Sequence, residues 1–354
     1  MKIKIGKSII GDKKNCFIVA EMSGNHNGDI KRAIEIVRAA KKSGADAIKI
    51  QTYTADTITI KSNKKDFLLN KGSPWKKYKN LWNLYNHAHT PLSWHKRIFK
   101  EAKKLNMEYF SSPFDESSVD FLETLGVSAY KVASPEINHI PLLKKIAKTK
   151  KPVIISSGLS NLKDLDLAIS TLRKSGSNKI VLLKCNSSYP SPIEESNIIT
   201  ISDIPKRFNV LSGLSDHTHG YSVAIASVAL GASIIEKHFT LNDSKKTVDS
   251  FFSLKENNFK KFVKSIRLVE KSLGKINYDI SKSAKKNINS RRSIYVFKHI
   301  KKGEKISKNN IKIVRPGYSL EPKYYYSIIG KRVKKELHKG DRLTFNIIDD
   351  CTKR

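Results

Sequence analysis

Short apolar runs alternate with longer amphipathic stretches along most of the chain. The runs at 17–20, 47–50, 109–110, 129–132, 153–155, 180–183, 210–211 and 234–235 read as buried strands. Helical spacing fills the intervals. At 30–42, Ala33, Ile34, Val37 and Ala40 recur on one face, and comparable patterns occupy 94–105, 116–125, 140–148, 161–174, 221–230 and 258–273, with a weaker one near 194–206. Strand–helix units repeated eight times over about 275 residues predict a closed (β/α)₈ TIM barrel. The alternative, an open doubly wound sheet, calls for a glycine-rich turn after its first strand, which is absent. Upstream, 2–10 alternates with period two, as a short hairpin would.

The rhythm breaks twice. The interval 53–93, with Trp75, Trp82 and Tyr85, is far longer than the usual loop of about 2–6 residues, and reads as an active-site lid or an extra packed helix pair. After 273 the pattern dissolves into a Ser-, Lys- and Asn-rich segment. From Arg291 it resumes as short strands punctuated by Lys302-Gly303 and Lys339-Gly340. The expected organisation is a barrel over 1–275, a linker over 276–290 and a small domain over 291–354.

Composition narrows the class. The net charge of +35 invites a nucleic-acid partner, but the lysines are scattered among isoleucines and asparagines, and no DNA- or RNA-binding signature is present. Residues 291–354 hold 18 basic and 6 acidic residues, only a modest enrichment. No run approaches the ~18 apolar residues of a membrane span, and the start lacks a signal-peptide pattern. Three dispersed cysteines (Cys16, Cys185, Cys351) form neither a disulfide framework nor a zinc cluster. The expectation is a cytoplasmic protein with neither nucleic acid nor membrane as partner.

The predicted strand ends carry the chemistry: Glu21; Lys49 and Gln51; Ser111 and Ser112; Lys131 and Ser134; Ser156 and Ser157; Lys184; Asp216 and His217; Glu236 and His238. A barrel gathers strand C-termini at its active face. Any one serine or lysine there is commonly a solvated strand end, and any one histidine a loop hydrogen-bonder; eight successive polar strand ends are not. His217 and His238 suit a divalent transition metal acting as Lewis acid. Lys49, Lys131, Lys184 and the Ser156-Ser157-Gly158 turn suit a phosphorylated, carboxylated substrate. Glu21 or Glu236 is placed to act as general base. Spacing alone stops at metal-assisted carbon–carbon bond chemistry, with a Schiff-base aldolase and a non-catalytic sugar-binding protein as rivals.

Ala20-Glu-Met-Ser-Gly-Asn-His-Asn-Gly28, Gly44-Ala-Asp-Ala-Ile-Lys-Ile-Gln-Thr52, Tyr130-Lys-Val-Ala-Ser134, Gly213-Leu-Ser-Asp-His217 and Ile235-Glu-Lys-His-Phe-Thr240 resemble the sialic acid synthase family. Ile300-Lys-Lys-Gly-Glu-Lys-Ile-Ser307 and Val314-Arg-Pro-Gly317 resemble its C-terminal antifreeze-like (SAF, β-clip type) domain. The resemblance implies condensation of phosphoenolpyruvate with an open-chain acetamido sugar. It implies manganese or magnesium on His217 and His238, with Glu21, Glu236 and Asp249 as catalytic carboxylates. It further implies phosphoenolpyruvate held by Lys49, Lys131, Ser134, Ser156, Ser187 and Ser215, and the sugar facing Gln51 and Tyr189. A domain-swapped homodimer, in which Arg315 reaches the partner's sugar, is implied as well. Many members place asparagine where Ser187 stands. Within the family, Gln51-Thr-Tyr-Thr-Ala-Asp-Thr57, Ser111-Ser-Pro-Phe-Asp115, Leu183-Lys-Cys185 and Asp249-Ser-Phe-Phe-Ser-Leu254 resemble members whose acceptor is a 2,4-diacetamido-2,4,6-trideoxy altrose, although Ala55 replaces a frequent proline. Phe251 and Phe252 would favour the methyl of such a sugar. The alternative acceptors are those of N-acetylneuraminate or legionaminate synthesis.

Overall fold

The eight apolar runs, buried on both faces, form eight parallel strands, the pattern expected where helices cover one side and a packed interior the other. The computed structural model describes residues 1–12 and 14–349. A hairpin, β1 (Lys2–Ile5) and β2 (Ser8–Gly11), precedes β3 (Phe17–Glu21), β4 (Ala47–Thr52), β5 (Glu108–Pro113), β6 (Tyr130–Val132), β7 (Val153–Ser156), β8 (Ile180–Cys185), β9 (Leu211–Asp216) and β10 (Ile234–Thr240). The strands neighbour one another in chain order, and β10 pairs in parallel with both β9 and β3, with Ile235 opposite Leu214 and Ile18. That double pairing closes the ring and excludes an open sheet. A two-residue strand, β11 (Leu254–Lys255), adds beside β10.

The helices are α1 (Ile30–Lys42), α2 (Ala55–Ile58), α3 (Leu81–Ala88), α4 (Leu92–Lys104), α5 (Glu116–Thr124), α6 (Ile140–Lys148), α7 (Leu162–Lys174), α8 (Thr200–Phe208), α9 (Ser222–Ala229) and α10 (Glu256–Leu273). Local chemistry sets their starts. The Asp29, Asp115 and Asn161 side chains accept hydrogen bonds from free first-turn N–H groups of α1, α5 and α7, and Asp164 completes a capping box at α7. The weak pattern near 194–206 resolves into a 3₁₀ turn at Ile193–Glu195 and a later helix, α8. Between them Asn197 takes a left-handed φ of 44°, which interrupts the helix.

Strand parity separates two apolar layers. Ile18, Ile48, Ile155, Leu182, Leu214 and Ile235 face the helices. Phe17, Val19, Ala47, Phe110, Ile154, Val181, Leu183, Leu211 and Ile234 fill the barrel together with Ile3, Ile5 and Ile10 of the hairpin. Each fully buried Ile or Phe contributes about 1.5–3 kcal/mol. The hairpin thus joins the apolar floor at the strands' N-terminal side, and the interior turns polar only toward their C-terminal ends.

The 53–93 insertion contains the helix pair α2 and α3, joined by 3₁₀ turns at Lys65–Phe67 and Lys76–Tyr78. It also sends Trp75 toward the β10–β11 loop, where the indole N–H donates to the Val248 carbonyl at 3.0 Å.

The chain divides into two units, Met1–Gly274 and Lys275–Arg354. The second opens with an exposed segment bearing the short helix α11 (Lys282–Lys285). An antiparallel pair follows, β12 (Ser293–Val296) and β13 (Ile311–Val314), with a four-residue helix α12 (Tyr325–Ile328). Ile294, Val296, Ile300, Ile306, Ile311, Val333, Leu337, Leu343 and Ile348 form its core. Gly303 and Gly340 turn the chain at φ of 80° and 93°, the left-handed region the Lys-Gly signals require. No helix among the described residues is long and apolar enough to cross a membrane.

Candidate active site

The inward parity that carries Val19, Ala47 and Leu183 along the barrel floor continues, toward the C-terminal strand ends, into Glu21, Lys49, Gln51, Ser112, Lys131, Ser156, Cys185, Ser215, Glu236 and His238. Register fixes the neighbours: Glu21 lies opposite Lys49 on one side and His238 on the other, and Ser215 opposite Glu236. The residues predicted from strand ends therefore meet in one mouth. Three do not join them. Lys184 shares parity with Leu182, and Ser111 hydrogen-bonds the Ile50 carbonyl and Thr52 on the helix-facing side. Placing every strand-end residue at the site ignored the two-residue period. Asp216 also turns outward, where its carboxylate binds the buried Lys237 ammonium at 2.7 Å and the Thr218 N–H and hydroxyl, locking the turn that delivers His217.

At the centre, two lysines and two carboxylates interlock. Lys49 Nζ lies 2.7 Å from Glu21 Oε2 and 3.6 Å from Glu236 Oε1; Lys131 Nζ is 3.8 Å from Glu236 and donates to Ser156 Oγ at 2.7 Å. Ser215 donates to Glu236 at 3.2 Å, and Gln51 to Glu21 at 3.0 Å. Burial pushes the Glu21 carboxyl up, against the pull of Lys49. Burial acts on Glu236 the same way, but Lys131, Lys49 and His217 outweigh it and hold this group ionised. Burial pulls Lys131 below the usual lysine range, whereas for Lys49 the two glutamates overcome burial and raise it. Charges this desolvated and this close mark functional sites more often than stabilising ones.

Beside this cluster lies a concave cradle. A Cβ built on Gly158 would meet Ser187 Oγ at 2.1 Å, Ser134 Oγ at 2.8 Å and Cys185 Sγ at 3.0 Å, so only glycine lets these groups converge. The Gly158 N–H donates to Ser134 Oγ at 3.0 Å. Burial raises the Cys185 thiol, but the His217 imidazole, a hydrogen bond from Ser134 and the Lys131 charge bring it down to about 7.

On the other side stand the imidazoles, ring centroids 5.3 Å apart. His217 Nδ1–H donates to the Asn186 carbonyl at 2.9 Å, which leaves Nε2 as a lone-pair donor. His238 Nδ1 is buried with no hydrogen-bond partner among the described residues and sits 4.0 Å from Asp249 Oδ2. Ser23 donates to the same Asp249 oxygen. An aromatic wall backs them: Tyr189 packs against His217 with ring centroids 4.5 Å apart and planes tilted by 52°, and Phe252 lies 4.7 Å from His238 and 5.2 Å from Tyr189. Phe252 is buried; Phe251 is 43% exposed and meets Trp75 at 6.0 Å. Only Phe252 of the expected pair therefore borders the imidazoles.

A model of the NeuB family matches residues 36–278. The chain belongs to the NeuB family. An SAF domain model matches residues 291–347. A pseudaminic acid synthase of Campylobacter jejuni is 44% identical over 93% of this chain and 96% of its own. Another, from Helicobacter pylori, is 43% identical over 94% and 97%. The crystal structure of an N-acetylneuraminic acid synthetase from Leptospira borgpetersenii, in complex with citrate, superposes with a TM-score of 0.71 at 28% identity, covering 81% of this chain and 95% of that one.

A divalent metal fits the imidazole pair on its chemistry. An unpartnered buried ring nitrogen, a second ring oriented through its other nitrogen and a nearby carboxylate form a borderline donor set with open positions. Three donors that already lie within 4.8 Å of one another occur elsewhere, at His299, Glu336 and His338 of the second unit, a cluster no motif pointed to. Arg315 also belongs to the second unit, just beyond β13.

Sequence reasoning missed Cys185, which simple alternation from Leu183 would have found, and Glu136, two residues past Ser134 on a 3₁₀ turn. Burial raises the Glu136 carboxyl to about 7 against Lys131 and Lys49, and its Oε2 has no hydrogen-bond partner among the described residues. A raised carboxyl contributes stability that is present below the ordinary value of 4.5 and lost as pH climbs to about 7. Glu136→Gln is therefore expected to stabilise the substrate-free chain by about 3 kcal/mol at pH 8 and by under about 1 kcal/mol at pH 5. Urea unfolding at both pH values checks this; equal gains at both would rule it out.

Proposed function

We propose that the chain is a pseudaminic acid synthase, a transferase condensing phosphoenolpyruvate with 2,4-diacetamido-2,4,6-trideoxy-β-L-altropyranose and water to give pseudaminic acid and phosphate. The observation that carries this reading is the meeting, in one barrel mouth, of a desolvated Lys49–Lys131 pair beside a serine cradle with two imidazoles, one of them unpartnered. The names and coverage of the Campylobacter and Helicobacter relatives select the acceptor.

In this reading Lys49 and Lys131 neutralise the carboxylate and phosphate of phosphoenolpyruvate, and Ser134, Ser156, Ser187 and Ser215 supply hydroxyls. His217 and His238 would hold Mn²⁺ or Mg²⁺, with Glu21 and Asp249 close by; when bound, the ion supplies Lewis-acid polarisation of the sugar aldehyde. Gln51 and Tyr189 orient the sugar so that the enol π pair forms the bond from C3 to the aldehyde carbon, whose C=O π pair moves onto oxygen and takes up a proton, leaving C2 an oxocarbenium carbon. Water then adds at C2, giving up a proton, and the C2–O bond breaks with its electron pair leaving on phosphate. Glu21, its carboxyl raised by burial, is suited to exchange a proton with water or substrate, while Glu236 stays ionised and balances the lysines. The apolar Phe252 wall, with Trp75 beyond it, suits the C6 methyl: burying a methyl gains, and leaving a hydroxyl unpaired loses, about 1–3 kcal/mol.

Phosphate release from phosphoenolpyruvate under Mn²⁺ is expected to be fastest, by about 10-fold or more in kcat/KM, with the diacetamido altrose. Preference for N-acetylmannosamine or the legionaminate precursor would leave the reaction class standing and overturn the acceptor. A Schiff-base aldolase would instead be trapped on a lysine by borohydride, and a sugar-binding protein would release no phosphate.

The family resemblance further supports a homodimer in which Arg315 reaches the acetamido group bound by the partner, its planar donors suiting an amide oxygen. Mixing Arg315→Ala with Glu21→Ala chains is expected to restore activity that neither has alone. A monomer by light scattering, or no complementation, would sink the swap.

A further inference from the structure

The cluster in the second unit is built by strand pairing. Ile300 and Leu337 exchange both backbone hydrogen bonds at 2.9 Å and bury their side chains in the core of that unit. Period two turns the flanking residues outward, so His299 comes opposite His338, with Glu336 on the same exposed face. The two rings lie 5.1 Å apart at 40°, and His299 Nε2 meets Glu336 Oε1 at 2.6 Å.

We propose that His299, Glu336 and His338 form a binding site for a divalent transition-metal ion such as Zn²⁺, Ni²⁺ or Co²⁺. All three donor atoms lie within 4.8 Å of one another. Bond lengths of about 2.0–2.2 Å to nitrogen and oxygen then require only side-chain rotation, with the His299–Glu336 hydrogen bond exchanged for two coordinate bonds. The paired backbone holds the three Cα positions, so the cost of ordering falls on exposed side chains alone. Lys298, Lys335 and Lys339 adjoin the ligands in sequence, Lys301 lies two residues from His299, and Glu336 is the sole carboxylate among the three. Hard cations such as Mg²⁺ and Ca²⁺, which depend on several anionic oxygens, are disfavoured there; imidazole-binding metals are not. Bound metal would clip the segment at 298–301 to that at 336–339.

The test is calorimetric titration of the untagged full-length chain with Ni²⁺ at pH 7.5 in a non-coordinating buffer. A His217→Ala/His238→Ala chain is expected to retain one equivalent that 5 mM Mg²⁺ does not displace, and adding His299→Ala/His338→Ala to remove it. His299→Ala/His338→Ala alone is expected to lose one equivalent relative to the parent chain. Should the alanine pair unfold by circular dichroism, His299→Gln/His338→Gln serves, because both positions are exposed. Retention of that equivalent after the second-unit substitutions overturns the proposal, as does its absence from the chain lacking the barrel histidines.

Discussion

His217→Ala or His238→Ala lowers kcat/KM for phosphate release by about 10³-fold, and exhaustive chelation of the parent chain does the same until Mn²⁺ is restored. The magnitude follows from Lewis-acid stabilisation worth several kcal/mol, about 4 kcal/mol corresponding to 10³. The site offers two imidazoles, and each substitution removes half of that pair. Neither ring carries the fold in the way an apolar core residue does: His217 Nδ1 meets the Asn186 carbonyl and the Cys185 thiol, and His238 Nδ1 has no hydrogen-bond partner among the described residues. The variants should therefore keep their helical signal while losing turnover. Phosphate release assayed after chelation, with and without added Mn²⁺, reads the effect. Full activity after chelation would remove the metal from the reading and bring back the Schiff-base alternative. Persistence of activity in both histidine variants, with chelation still inhibitory, would move the ion to other ligands.

Lys131→Met is expected to cut kcat/KM for phosphoenolpyruvate by about 10²–10³-fold, the range seen when one preorganised donor to a developing or bound anion is removed from a dry site. Lys131 Nζ is fully buried, reaches Ser156 at 2.7 Å and Glu236 at 3.8 Å, and is held below the usual lysine range by burial. A methionine fills the same channel without charge, so the loss reports electrostatics rather than a cavity. Lys131→Arg is a poor rescue, since its planar fork does not match the Ser156 hydroxyl, Val132 carbonyl and Glu236 carboxylate that the compact ammonium reaches. Steady-state KM for phosphoenolpyruvate, alongside KM for the sugar, checks the assignment. An unchanged phosphoenolpyruvate KM with a raised sugar KM would transfer Lys131 to the acceptor side.

How far these residues were legible beforehand depends on the range over which each signal acts. Period-two apolar runs and helical faces are local properties, so the eight strands, the hairpin at 2–10 and the helix faces such as Ala33, Ile34, Val37 and Ala40 could be read directly. Conserving strand direction around a closed ring then brings Glu21, Lys49, Lys131, Glu236 and His238 to one end without any knowledge of side-chain contacts. Parity decided the rest. Lys184 and Ser111 carry the right chemistry but stand on the helix-facing side of their strands, while Cys185 stands on the inward side and faces His217. Other features depend on contacts between segments distant in sequence, which no local pattern encodes. The Gly158 cradle needs Ser134 and Ser187 from neighbouring loops, and Phe252 rather than Phe251 meets His238 because the β10–β11 loop turns that way. His299 faces Glu336 and His338 only because Ile300 pairs with Leu337 across some 37 residues of chain, and that pairing is a choice made by the folded core of the second unit.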